Sequence, residues 1–207
     1  MFEKEIQAIG KNQLYDATKF VIDQNFIHHA QESHPNEYDA LVDQLYDEEE
    51  AYFDDAYYYV VKDKSHQIMG SIRTLKWNRI GALPIERIFG MDVLKYEHMP
   101  KDATIWHIGR FAIRKGLNSV DLFKKMVLRA IHPICSVPNS IAFAECDRKL
   151  LKTLTRMGII SEVMSEPVSY LGSETIAICM HGDTLKEFYD KSISELAYCT
   201  HSKRIYA

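Results

Sequence analysis

The chain lacks most of the residue patterns that mark specialised architectures. Its four cysteines, Cys135, Cys146, Cys179 and Cys199, form no CxxC pair. A disulfide framework or cysteine-based zinc site is therefore not indicated, and free thiols in a reducing compartment are expected. No apolar run approaches the ~18 residues of a membrane-spanning helix. The first residues, MFEKEIQAIGKNQ, lack the basic-then-apolar pattern of a secretion signal. A cytoplasmic location without stable membrane insertion is expected. Neither GxGxxG nor GxxxxGK[ST] occurs, which disfavours a dinucleotide or nucleoside triphosphate site. There is no internal repeat and no Gly/Ser- or Pro-rich linker, so a single domain over residues 1–207 is expected.

Positive charge is scarce at one end and concentrated at the other. Residues 1–55 carry three lysines, no arginine and 14 acidic residues, net −11. Residues 110–156 carry 10 Lys/Arg against three acidic residues, net +7, although the whole chain is only −4. Two faces of opposite potential suit two kinds of partner; solvated helix faces that differ in sign give the same totals. Nucleic acid is not expected, because the basic segment lacks interleaved aromatics and the acidic one repels phosphate.

Periodicity predicts a short strand at 4–9, then helices at 12–30 and 36–50. The second helix is acidic, with Tyr38, Leu41, Val42 and Leu45 as its apolar stripe. Aromatic and β-branched residues then predict a hairpin, 56–62 with 67–76, turning at Asp63–His66. Residues 78–101 are irregular, with room for a short strand or helix. A strand at 103–113, a helix at 119–132 with Ser119 as N-cap, a strand at 140–145 and a helix at 147–157 capped by Asp147 follow. A strand pair, 161–170 with 174–181, turns at Leu171-Gly172-Ser173, and a last helix spans about 184–197. This order implies an α/β fold: a mixed sheet with helices on both faces.

The strand at 103–113 feeds a glycine-containing turn into a helix N-terminus. That geometry presents free N–H groups and a positive dipole end to an anion such as phosphate. Arg114, Lys115, Gly116, Asn118 and Ser119 form the turn, which also needs a glycine and a cap for purely structural reasons. His28, His29 and His34 lack an HExxH-like spacing, and no metal site is expected.

Two local motifs and the order of elements resemble the GNAT-superfamily N-acyltransferases over roughly residues 5–181. Gly70-Ser71-Ile72-Arg73 looks like that family's G-S-x-R. Trp106-His107-Ile108-Gly109-Arg110-Phe111-Ala112-Ile113 looks like its E-x-S-R-F-x-V. Gly158, Glu166-Pro167, Tyr170-Leu171-Gly172 and Thr175 are similar to the family's C-terminal half. Within the superfamily the resemblance is to acyl-homoserine-lactone synthases and long-chain N-acyl amino acid synthases.

The resemblance implies splayed central strands that admit the pantetheine arm of a donor, acyl-CoA or acyl-phosphopantetheine on acyl carrier protein, with no tightly bound cofactor. Backbone groups of Phe111, Ala112 and Ile113 would pair with the pantetheine amides, one N–H serving as oxyanion donor. The 114–119 turn departs from the family's R/Q-x-x-G-x-G/A, which suits the single phosphate of a carrier protein. The basic 110–156 segment would steer that acidic partner. His107 stands where the family carries a glutamate and is the expected base for the acceptor amine, or else a packed strand histidine. Asp54 and Asp55 would attract the ammonium or relay its proton, or else belong to a solvated loop. Arg73 and Arg110 either pair with Asp54, Asp55 or Glu145 as a network, or one of them clamps an acceptor carboxylate. Tyr170 is either an acid toward the leaving thiolate or a packed strand tyrosine; the 147–157 helix carries no tyrosine, so the family's usual acid on that helix is missing. The resemblance thus implies N-acyl transfer to an amino acid or amino-acid derivative. Lactone synthesis is the alternative, as is a non-catalytic acyl-binding module. No arginine precedes Arg73, whereas the lactone synthases carry one on the N-terminal helix.

Overall fold

The β-branched and aromatic runs at 56–62 and 68–76 form an antiparallel hairpin, β2 (Ala56–Lys62) and β3 (Ile68–Lys76), with Tyr58 opposite Arg73. The computed structural model describes residues 6–29, 38–117, 119–170 and 173–205, and at His28, His29 and residues 197–205 the backbone only. His34, Asn118, the Leu171-Gly172 part of the predicted turn and the side chains of His28, His29 and Cys199 lie outside the described residues.

The hairpin sits in an eight-stranded sheet. The other strands are β1 (Ile6–Ala8), β4 (Thr104–Ile113), β5 (Ser140–Asp147), β6 (Glu162–Val163), β7 (Val168–Tyr170) and β8 (Ser173–His181). Their order is β1-β2-β3-β4-β5-β8-β6, with β7 also on β8. Among the described strands only β4 and β5 run parallel. A parallel pair needs a crossover, supplied by α4 (Val120–Cys135).

Each sheet face is covered. Helix α4, with α5 (Arg148–Met157) and α6 (Gly182–Ile205), buries Phe123, Val127, Ile131, Leu154, Leu185 and Phe188 against Trp106, Ala142, Ala144 and Ile178. The opposite face carries α1 (Leu14–His29), α2 (Tyr38–Ala51) and the 77–103 segment, which contains α3 (Pro84–Phe89). Glu86 anchors α3 by accepting the Leu83 and Val93 N–H groups.

Three expectations shift. Helix α4 continues through Pro133 to Cys135, because one missing N–H is outweighed by burial of Ile134. The expected strand at 161–170 is two short strands separated by the Ser165–Pro167 region. The last helix runs past 197 to Ile205. Among the described residues no helix is long and apolar enough to cross a membrane.

Candidate active site

The central strands part company halfway along. β4 and β5 pair in register from Thr104 with Ser140 to Ile108 with Ala144, and no further, although β5 stays paired to β8 as far as Asp147 with Thr175. On its other side β4 is bulged: Ser71 faces Ala112 and Arg73 faces Gly109, so Arg110 and Phe111 together oppose Ile72. Arg110 accordingly has a left-handed backbone, φ 55°. The bulge bends β4 away from β5 and opens a cleft of about 120 Å³. Gly109, Arg110, Phe111, Glu145, Asp147 and Tyr170 are on its walls, with Val21 and Asn25 of α1. An apolar cavity of about 50 Å³ adjoins it, bounded by Phe111, Val127, Ile131, Leu154 and Met180. Phe111 is fixed edge-on against Phe123, with ring centroids 5.1 Å apart.

Beneath the cleft lies a charged network on the α2 side of the sheet. Glu49 of α2 is 1% exposed and accepts from Arg73 Nη1 at 2.9 Å, Arg110 Nε at 2.7 Å and the Tyr58 hydroxyl at 2.8 Å. Glu48 accepts from Arg110 Nη2 at 2.8 Å and from Arg87 of α3 at 2.7 Å. Burial alone would raise the Glu49 pKa, but Arg110 and Arg73 hold it below the ordinary carboxylate value. Burial likewise works against the Arg110 guanidinium, and Glu49 and Glu48 more than reverse this.

Arg73 also donates to His107 Nδ1, and His107 Nε2 lies 2.8 Å from Glu145 Oε1. A guanidinium only donates, so Nδ1 accepts and the ring carries its proton on Nε2, pointing at Glu145. Burial pushes His107 below its usual pKa despite the carboxylate beside it, and the ring is neutral. Glu145 is held low by His107, Arg110 and Arg73 against the opposite pull of burial. Its side chain is 12% exposed and lies on the cleft wall.

The predicted residues therefore separate. His107 is 1% exposed with both nitrogens engaged, so the expected base touches no solvent-borne amine; Glu145 stands between it and the cleft. Arg73 is fully buried and cannot reach an acceptor carboxylate, and Arg110 meets the cleft with its charge already answered. Both arginines pair with α2, not with Asp54 or Asp55. Those two are exposed in a 3-10 turn at Phe53–Asp55, away from the cleft lining, and Asp55 accepts from Asn78. Tyr170 does line the cleft, and burial raises its pKa while Arg110 opposes the rise.

Sequence reading missed Glu48 and Glu49. The apolar stripe Tyr38, Val42, Leu45 steps next onto Glu49, so the helical period already aimed that carboxylate inward. Three carboxylates at a helix C-terminus also oppose its dipole and call for outside cations.

The 114–119 turn is more self-contained than expected. Arg114 reaches back to Gln67 and the Ile68 carbonyl, and the Lys115 N–H donates to Gln24 of α1 at 2.8 Å. The Leu117 and Ser119 N–H groups bond within the turn, and Ser119 caps α4 by accepting from Leu122. Gly116, with φ 88°, has open space where a Cβ would stand. At the start of α4 Ser119 takes the Leu122 and Phe123 N–H groups, which leaves those of Val120 and Asp121 for an anion among the described residues.

No family model and no curated protein sequence matches the chain. Solved structures match it in fold. The AHL synthase LasI aligns with TM-score 0.53 at 19% identity, over 86% of this chain and 89% of that one. FeeM, an N-acyl amino acid synthase from uncultured soil microbes, aligns with TM-score 0.54 at 12% identity, over 86% and 92%. Spermidine N-acetyltransferase from Vibrio cholerae, in complex with CoA and spermine, aligns with TM-score 0.50 at 12% identity, over 87% and 96%.

Proposed function

We propose that this chain, which has the GNAT fold, is an N-acyltransferase that moves an acyl group from a thioester to the primary amine of a small acceptor. The observation that carries the reading is the cleft where bulged β4 leaves β5, with the Glu145 carboxylate on its wall. An extended pantetheine chain lies along β4 as an added strand, pairing with backbone groups of Phe111 to Ile113. One N–H of this stretch stabilises the oxyanion as the thioester carbonyl becomes tetrahedral.

The acceptor enters as an ammonium and is held by Glu145. Only its free base attacks, and the proton passes to Glu145 or, through it, to solvent. His107 is a positioning residue: its Nε2–H fixes the Glu145 carboxylate, and Arg73 fixes the His107 tautomer. The nitrogen bonds to the carbonyl carbon and gives up a second proton to solvent, the C–S bond breaks, and the thiolate takes the Tyr170 hydroxyl proton. Tyr170 is restored from solvent, so thioester and ammonium give amide, thiol and one released proton.

Coenzyme A and acyl carrier protein are both candidate donors. The self-bonded turn offers a small phosphate site and supports the single phosphate of a carrier. The exposed Lys149, Lys152 and Arg156 of α5 support docking of an acidic partner. The adjoining apolar cavity takes the acyl tail. Thiol release with product mass analysis, using acetyl- and hexanoyl-CoA, the corresponding carrier-protein thioesters and a panel of amines, tests the reading. An acylated amine matching the released thiol is the expected result; no thiol above background with every donor would sink it.

A further inference from the structure

We infer that the acceptor is a cationic amine without a free carboxylate beside the amino group, such as a simple amine or an amino-acid amide or ester. This rests on the N-acyl transfer reading and narrows its acceptor. Binding a zwitterionic amino acid needs an anion for the ammonium and a free cation for the carboxylate. Among the described residues, the cleft supplies the first and withholds the second.

Among the described residues that line the cleft, Arg110 is the sole cation. Its Nε is held by Glu49 at 2.7 Å and its Nη2 by Glu48 at 2.8 Å, so two α2 carboxylates already answer its single charge, and on the cleft side it meets Tyr170. Arg87, the next guanidinium outward, is spent on the same Glu48 at 2.7 Å and does not line the cleft. The N-terminus of α5, the remaining positive element at the wall, is capped by Asp147, which accepts from the Leu150 N–H. Leu171 and Gly172, adjacent to Tyr170 in sequence, carry no charge. Glu145, by contrast, has only the neutral His107 as its direct hydrogen-bond partner among the described residues. An ammonium placed against Glu145 would set an α-carboxylate a few ångström from the Glu145 carboxylate, with no uncommitted counter-cation among the described residues that line the cleft. Like charges so placed in a partly desolvated cleft are strongly disfavoured.

The test compares L-leucine amide with L-leucine on the full chain, by calorimetric binding and by thiol release from hexanoyl-CoA or its carrier-protein equivalent. The amide is expected to bind at least about tenfold more tightly and to be acylated with a correspondingly higher kcat/KM. Equal or tighter binding of leucine, or binding of neither, overturns the inference. Calorimetry decides this even where no thiol is released, a result that would instead count against the transfer reading. Glu48→Gln provides the second arm. Replacing that carboxylate by a neutral amide leaves Arg110 with one counter-charge in place of two, and the preference for the amide is expected to shrink at least about threefold. An unchanged ratio in a folded Glu48→Gln protein overturns the assignment of Arg110 as the saturated cation.

Discussion

At the scale of single residues, the site is decided by which charges are already answered. Arg73 and Arg110 were legible as a buried-pair problem, because an interior arginine requires a carboxylate. Their partner was not, because Glu49 sits in an acidic run that looks solvated until its helical phase is counted. His107 was legible as a strand histidine; that a neighbouring arginine fixes its tautomer depends on a cross-strand contact that no local pattern encodes. The network also predicts a pH response. His107 stays neutral in the fold, whereas the unfolded chain takes up its proton below about pH 6.5. The unfolded state therefore binds more protons there, and stability falls as pH drops below that value. Glu49 and Glu145 have depressed folded pKa values, so their contribution holds above the unfolded carboxylate range and is lost as pH falls through the folded values. Thermal unfolding should show Tm declining from about pH 6.5 and more steeply below about pH 4. His107→Gln should flatten the first limb and leave the second; a first limb that persists in that variant contradicts the assignment.

At the scale of elements, β4 is the part on which the rest depends. Its limits were readable from alternation, but its bulge was not, since an extra residue in one strand shows only when both strands are in register. Gly109 is the tight point. A Cβ there would lie 3.0 Å from Arg73 Nη2 and 3.0 Å from His107 Cε1, both belonging to buried groups with fixed partners. Gly109→Ala is expected to destabilise by roughly 1–3 kcal/mol through overpacking, read as a lower denaturant midpoint with an unchanged slope. A midpoint equal to that of the parent would mean that the row of side chains has slack. Helices α4 and α5 were well marked by caps and amphipathic spacing, and both Ser119 and Asp147 cap as expected. The course of α4 past Pro133 was hidden because tertiary burial overrides local propensity.

At the scale of the whole molecule, the opposed charge totals resolve into unequal parts. Part of the N-terminal acidity is structural, since Glu48 and Glu49 serve the arginines, and Glu50 makes an exposed pair with Lys11 at 3.2 Å. Much of the basic segment is also engaged. Lys124 meets Glu195, Lys125 meets Asp121, Arg148 meets Glu174, and Arg129 lies 5.1 Å above the Tyr59 ring. Lys149, Lys152 and Arg156 remain as the exposed basic set on α5. Reversing charge with Lys149→Glu and Lys152→Glu should raise KM for a carrier-protein thioester about tenfold at low salt, with a smaller effect at high salt. An unchanged carrier-protein KM would remove α5 from the docking surface.

Acyl transfer requires Glu145 to receive the ammonium proton of the acceptor. Single-turnover formation of acylated amine, followed by mass spectrometry at saturating donor for the parent chain and Glu145→Gln, tests it most directly. One amide per thiol released and a rate about 100-fold lower in the variant are expected. Thiol release without amide, or an undiminished Glu145→Gln rate, would contradict it.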